Sequence, residues 1–164
     1  MASGGNIIRI SPAVSTSAYD AGDVLFQTVE VPNVVSERGG VSRLISVVAN
    51  SYHDATDDIE LLFMQNSKDL ITSISPGSSG GPVMTDTAAR EANFLGTILL
   101  DGSVNSSDWG GGRLYTNRSS SNSYPILLKP AEGSKSVYVT GIANDAQTYS
   151  GVKDLDLIFH VEYL

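Results

Sequence analysis

"DLDLIFHVEYL", residues 154–164, alternates apolar and polar side chains along its length. Leu155, Leu157, Phe159, Val161 and Tyr163 fall on one face, and Asp154, Asp156, His160 and Glu162 on the other, with Ile158 and Leu164 the exceptions on the polar side. A period of two is the signature of a strand with one face on a core. A slip of one residue would turn five apolar side chains outward, so the register is strongly specified. The segment is expected to be integral to a sheet, with His160 as an exposed side chain, and its removal is expected to unfold the chain.

Upstream, strand patterns recur in "NIIRIS" (6–11), "VLFQTVEV" (24–31), "VSRLISVVAN" (41–50), "DIELLFMQN" (58–66), "NFLGTILLDG" (93–102), "GRLYTN" (112–117), "YPILLKP" (124–130) and "SVYVTGIAN" (136–144). Within 58–66, Ile59, Leu61 and Phe63 form the expected core face. Strict alternation over 41–50 groups Val41, Arg43, Ile45 and Val47 on one face, and Ser42, Leu44, Ser46 and Val48 on the other. Pro125 and Pro130 bracket a short strand and suit a sheet edge, because proline cannot donate to a ladder. The only helical signal is "TDTAAREANF" (85–94), with Thr85 or Asp86 as cap. Eight or nine short strands separated by Gly, Ser, Asn and Pro predict an all-β antiparallel sandwich, with the jelly roll as an arrangement that fits. One domain over 1–164 is expected, preceded by a short glycine-rich arm at 1–6.

Composition narrows the function. An apolar content of 41% argues for a packed core over disorder. Cysteine is absent, so packing and backbone hydrogen bonds must hold the fold without disulfides or thiolate-bound metal. A net charge of −8 is the wrong sign for binding phosphates, so nucleic acid is not expected as a direct partner. Neither a signal-peptide pattern nor a run long enough to cross a membrane is visible, so the chain is expected to be soluble and to have no membrane partner.

"GSSGGPV" (77–83) matches the loop that carries the nucleophile of trypsin-like proteases, with Ser79 in that position. His53 is the only histidine before it and lies close upstream, whereas the trypsin-like layout separates base and nucleophile by on the order of a hundred residues. A polar turn ended by Pro82 accounts for the same residues, and no enzymatic activity is expected. "HDATDDIE" (53–60) offers an imidazole and several carboxylates but matches no metal-binding spacing, so it is expected as a solvated turn. No cofactor is expected. The loop 101–124 combines Trp109, Arg113, Tyr115, Arg118 and Tyr124 with Gly, Ser and Asn, the vocabulary of a contact surface. Trp109 plugging the end of the sandwich is the competing reading.

The ordered set "VSTSAYDAGDVLFQTVEV", "GGVSRLISVVAN", "DIELLFMQNS" and "DLDLIFHVEYL" resembles small virion proteins of tailed phages, especially marine ones. Those proteins share an Ala-Tyr-x-x-Gly-Asp-Val opening, a Gly-rich turn into an apolar strand, a Leu-Phe strand end and an alternating C-terminal strand. The resemblance covers roughly residues 7–66 and 93–164; "SPGSSGGPVM" and the Trp109 loop lie outside its pattern. It implies a capsid decoration, or cement, protein made in the host cytoplasm. Such a protein binds the major capsid protein on the outer surface of the virion, most simply as a homo-oligomer, with a trimer matching a local capsid axis. The alternative is a virion-borne module that presents Trp109 and Tyr115 to host-surface glycans.

Overall fold

The computed structural model describes residues 4–69, 85–118 and 125–164, excluding the side chain of Arg118. Among them are ten strands and one helix: β1 (Gly5–Ile10), β2 (Val24–Val31), β3 (Ser42–Ser51), β4 (Ile59–Met64), α1 (Asp86–Ala92), β5 (Phe94–Leu100), β6 (Ser106–Asp108), β7 (Arg113–Arg118), β8 (Leu127–Leu128), β9 (Val137–Ala143) and β10 (Leu155–Tyr163). β6 is the strand that the sequence pattern missed; at three residues, Ser106–Asp108, it is too short and too polar to show a period. Gly5 and Asn6, expected in an arm, belong to β1.

The strands form two antiparallel sheets. One is ordered β1-β10-β3-β7-β6, with β8 also on β3, and the other β2-β9-β4-β5. The chain alternates between the sheets over β1, β2, β3 and β4, and crosses again from β5 to β6, from β8 to β9 and from β9 to β10. Each sheet thus interleaves early and late strands, which is the jelly-roll arrangement of two nested Greek keys. β8 pairs Ser42 and Arg43 through Leu128 and Leu127, a two-residue ladder between the prolines.

The core lies between the sheets. Leu155, Leu157 and Phe159 of β10 are fully buried and Val161 nearly so. They face Ile59, Leu61 and Phe63 of β4, and Phe63 meets Phe159 edge to face across the sandwich at 5.6 Å between ring centres. In β3 the expected faces are wrong. His160 pairs with Ser46 and the next residue, Val161, with Leu44, so Ile45 is an extra residue that bulges from the ladder. The bulge reverses the inward parity. Leu44 and Val47, placed on opposite faces by strict alternation, both enter the core, and Ile45 turns to solvent.

The "SAYDAGDV" words are structural. The Tyr19 ring is buried; its hydroxyl donates to the Leu25 carbonyl at 2.8 Å and accepts the Ser15 N–H at 2.6 Å. Asp23 accepts the Asp20 N–H, and Gly22 holds φ at 95°, a turn conformation that a side chain would strain.

The two outer faces differ. Thr85 caps α1 by accepting the Ala88 N–H, and Asn93 closes it with φ at 54°. Ala88 and Ala92 of this helix cover Met64 and Leu62, so α1 lies on the outer face of the four-stranded sheet. The outer face of the six-stranded sheet carries no helix among the described residues.

Candidate functional site

The outer face of the six-stranded sheet, which carries no helix among the described residues, exposes several large apolar side chains. Ile7 of β1, Ile45 of β3, Leu114 of β7, Leu127 of β8, Tyr52 just after β3 and Trp109 between β6 and β7 are all exposed on it. Two depressions mark this face. One, about 750 Å³, runs beside Ile7, Ile45 and His160. The other, about 800 Å³, lies at the opposite end of the sheet between Arg9, Asn50, Tyr52, Trp109, Leu114 and Asp156.

The second groove is built laterally. Asp156, Asn50, Leu114 and Ser107 stand side by side on β10, β3, β7 and β6, and Arg9 pairs with Ile158 in the adjoining row. Trp109 closes one end. The residue is 48% exposed, yet its ring is fixed on several sides. Its Nε1–H donates to Asn50 Oδ1 at 3.0 Å, and it meets Tyr52 edge to face at 5.6 Å. Its backbone N–H donates to the Gly112 carbonyl, while Asp108 accepts the Gly110 N–H at 2.6 Å. The run Gly110–Gly112 is required by this packing. Gly110 holds φ at 90°, a Cβ on Gly111 would stand 2.8 Å from the indole, and one on Gly112 would stand 2.2 Å from the Ser51 carbonyl oxygen. Trp109 therefore lies on the outer face of the sheet and does not plug the sandwich. Asp156 accepts a hydrogen bond from the Ser11 hydroxyl.

Other residues expected in the contact loop are placed differently. Tyr115 lies on the inward side of β7, buried, and its hydroxyl donates to the Asp57 carbonyl at 2.8 Å. Burial, reinforced by the Asp57 charge, pushes this phenol up to about 12. It cannot touch a partner or stack on a glycan. Alternation along "RLYTN", with Leu114 and Thr116 outward, was the signal for its position. Arg113 is mostly buried; its Nε–H donates to Ser106 Oγ at 2.8 Å, and its Nη1 lies 3.9 Å from Asp54. The Arg118 backbone pairs with Ser46. Tyr124 and Ser79 lie outside the described residues. His160, expected to be exposed, is half-buried, with Nδ1 2.6 Å from Ser46 Oγ.

The turn 53–58 is more ordered than a solvated loop. His53 Nε2 lies 3.0 Å from Asp57 Oδ2, an ion-pair distance without hydrogen-bond alignment, and the His53 ring rests on Tyr149. Asp58 accepts the Gly102 N–H, which ties this turn to the end of β5. No group of three or more His, Asp or Glu side chains among the described residues is placed to hold a metal ion. Burial raises the Asp57 carboxyl above its ordinary 3.8; His53 opposes this, and the Asp145 and Asp58 charges add to it. The folded chain therefore holds this proton more tightly than the unfolded chain does. The associated stability is full below 3.8 and is lost as pH rises through the raised value. Asp57→Asn cannot ionise, so the melting temperature of the natural chain should fall relative to that variant across this window and then run parallel to it. Melting curves of both chains against pH check this, and a constant difference throughout would contradict it.

No family model and no curated protein matches the chain. Among solved structures it has a weak, distant similarity to a viral capsid protein, a chain of the full particle of Israeli acute paralysis virus heated to 63 degrees. Identity is 12%, the match covers 99% of this chain and 67% of that one, and the TM-score is 0.26. A likeness at that score carries no argument, and the jelly-roll assignment rests on the strand order. No helix among the described residues is long and apolar enough to cross a membrane.

Proposed function

We propose that the protein is a capsid decoration protein of a tailed phage. In this reading it docks on the major capsid protein, on the outer surface of the virion, through the end of its six-stranded sheet's outer face that carries Ile7, Ile45 and Leu127. The observation that carries the reading is the asymmetry of the two outer faces. One is covered in part by the chain's own helix, which leaves Phe94 and Leu99 of β5 exposed, whereas the other, among the described residues, has no helix over it and exposes Ile7, Ile45 and Leu127. Contiguous exposed apolar surface with a polar rim is the physical mark of a protein contact. Polar groups stand among the apolar ones here as the Arg43–Glu162 ion pair at 2.5 Å, beside Leu127, and the His160–Ser46 pair, beside Ile7. The resemblance to phage virion proteins supplies the partner.

The role is mechanical. A protein that binds assembled subunits, and not separated ones, stabilises the shell by mass action. A contact stable on its own buries at least about 1,000 Å². Three copies around a local axis would let each contact be smaller, because the second and third bind at high effective concentration. No catalytic step is assigned to the chain.

The test uses particles. Virions lacking the protein should lose their DNA at a lower temperature and recover when the purified chain is added back. Ile45→Asp, which places a charge on the bulge without touching the core, should weaken binding to undecorated capsids roughly tenfold or more, as loss of an interface anchor does. Absence of the protein from purified particles, or identical heat resistance with and without it, would sink the proposal.

A further inference from the structure

We propose that the groove beside Trp109 is a saccharide-binding site, independent of the capsid contact. The argument starts from the tryptophan. An indole that stays half in water while three glycines, an asparagine and a tyrosine fix its position is preorganised for something outside the chain. Holding an aromatic side chain in place before binding removes an ordering cost that a mobile one would meet on contact.

The groove, about 800 Å³, falls within the size range of small-ligand sites. Leu114 and Ile158 supply apolar surface, Trp109 and Tyr52 supply aromatic walls, and Arg9, Asn50, Asp108 and Asp156 supply polar groups. A pyranose ring matches this set. Its C–H face packs on an aromatic wall, and its hydroxyls both donate and accept. The Asp108 and Asp156 carboxylates, each already accepting one bond within the chain, can accept further hydrogen bonds from sugar hydroxyls. Arg9 can donate, as can the amide nitrogen of Asn50, whose oxygen is committed to the indole.

Other ligand classes fit less well. A nucleic acid would meet two carboxylates for one guanidinium on a chain of net charge −8. A quaternary ammonium would find the aromatic walls but also Arg9 beside it. A purely apolar ligand would strip water from Asp108 and Asp156 without replacing its hydrogen bonds. A neutral saccharide answers both the aromatic and the mixed polar groups. The groove also stands apart from the proposed capsid contact, because Asn50 and Ile45 lie roughly 15 Å apart along β3 at about 3.3 Å per residue.

Trp109 is the only tryptophan in the chain, so its fluorescence reports on this groove alone. The full-length protein would be titrated with neutral hexasaccharides of glucose, galactose and mannose, with calorimetry as a second readout. At least one should produce a saturable change in Trp109 emission with Kd at or below about 1 mM. Tyr52→Ala and Asp156→Asn, each shown to melt cooperatively, should weaken it at least tenfold while keeping the reporter; Arg9→Ala replaces either one that fails to fold. Ile45→Asp should leave saccharide binding unchanged even where it abolishes capsid binding, so the two proposals fail separately. No saturable response by either readout overturns the inference. So does binding that survives these substitutions, or a response to an oligonucleotide or choline with none to the hexasaccharides.

Discussion

A chain ending at Lys153 will fail to fold. β10 lies between β1 and β3, pairing with β3 along its whole length and with β1 from Leu157 to Glu162. Without it, β1 has no strand partner among the described residues, and one ladder of β3 is left open. Leu155, Leu157, Phe159 and Val161 leave the core together. At roughly 1.5–3 kcal/mol for each buried apolar side chain the loss is about 6–12 kcal/mol, comparable with the whole net stability of a domain, about 5–15 kcal/mol. Circular dichroism and thermal melting of the shortened chain provide the measurement. A cooperative transition retained without residues 154–164 would show that the remaining strands close a core on their own.

Phe63→Ala and Phe159→Ala should each cost about 3–5 kcal/mol, the range for emptying a buried aromatic site. The pair carries more information than either variant. Phe63 belongs to the four-stranded sheet and Phe159 to the six-stranded one, and their edge-to-face contact at 5.6 Å joins the two layers. The double variant should therefore be less destabilised than the sum of the singles, with a coupling of about 0.5–1.5 kcal/mol. Denaturant unfolding of the four chains measures the coupling. Strict additivity would mean that the rings fill separate spaces and do not hold the sheets against each other.

The resemblance to phage proteins takes on a particular meaning once its words are located. Tyr19, Gly22 and Asp23 form a buried ring and a tight turn leading into β2. "DIELLFM" and "DLDLIFHVEYL" supply opposite walls of the core. These words describe how the sandwich closes, not what it touches. Ile45 and the groove residues Asn50, Asp156 and Ile158 lie within them, whereas Tyr52, Trp109 and Leu114 fall outside, so the aromatic end of the groove is where this chain can differ in its contacts from proteins that share the words.

What the sequence determined by itself was the all-β class and the inward faces of the two cleanly alternating strands, since alternation is local and each residue's side follows from its neighbours. The inward positions of β4 and β10 were legible for that reason, as was the Thr85 cap, whose partner is only three residues away. Three things were decided only in the tertiary structure. The bulge at Ile45 appears only when β10 is laid against β3, because an extra residue is defined by the strand opposite. The uncovered sheet face depends on where α1 packs, which a seven-residue helix with two buried alanines does not specify alone. Trp109 was singled out by composition as a contact candidate, but its neighbours Arg9, Asn50, Tyr52 and Asp156 were not legible. They meet it as lateral neighbours in a sheet whose adjacent strands come from opposite ends of the chain, a proximity that no local pattern of residues encodes.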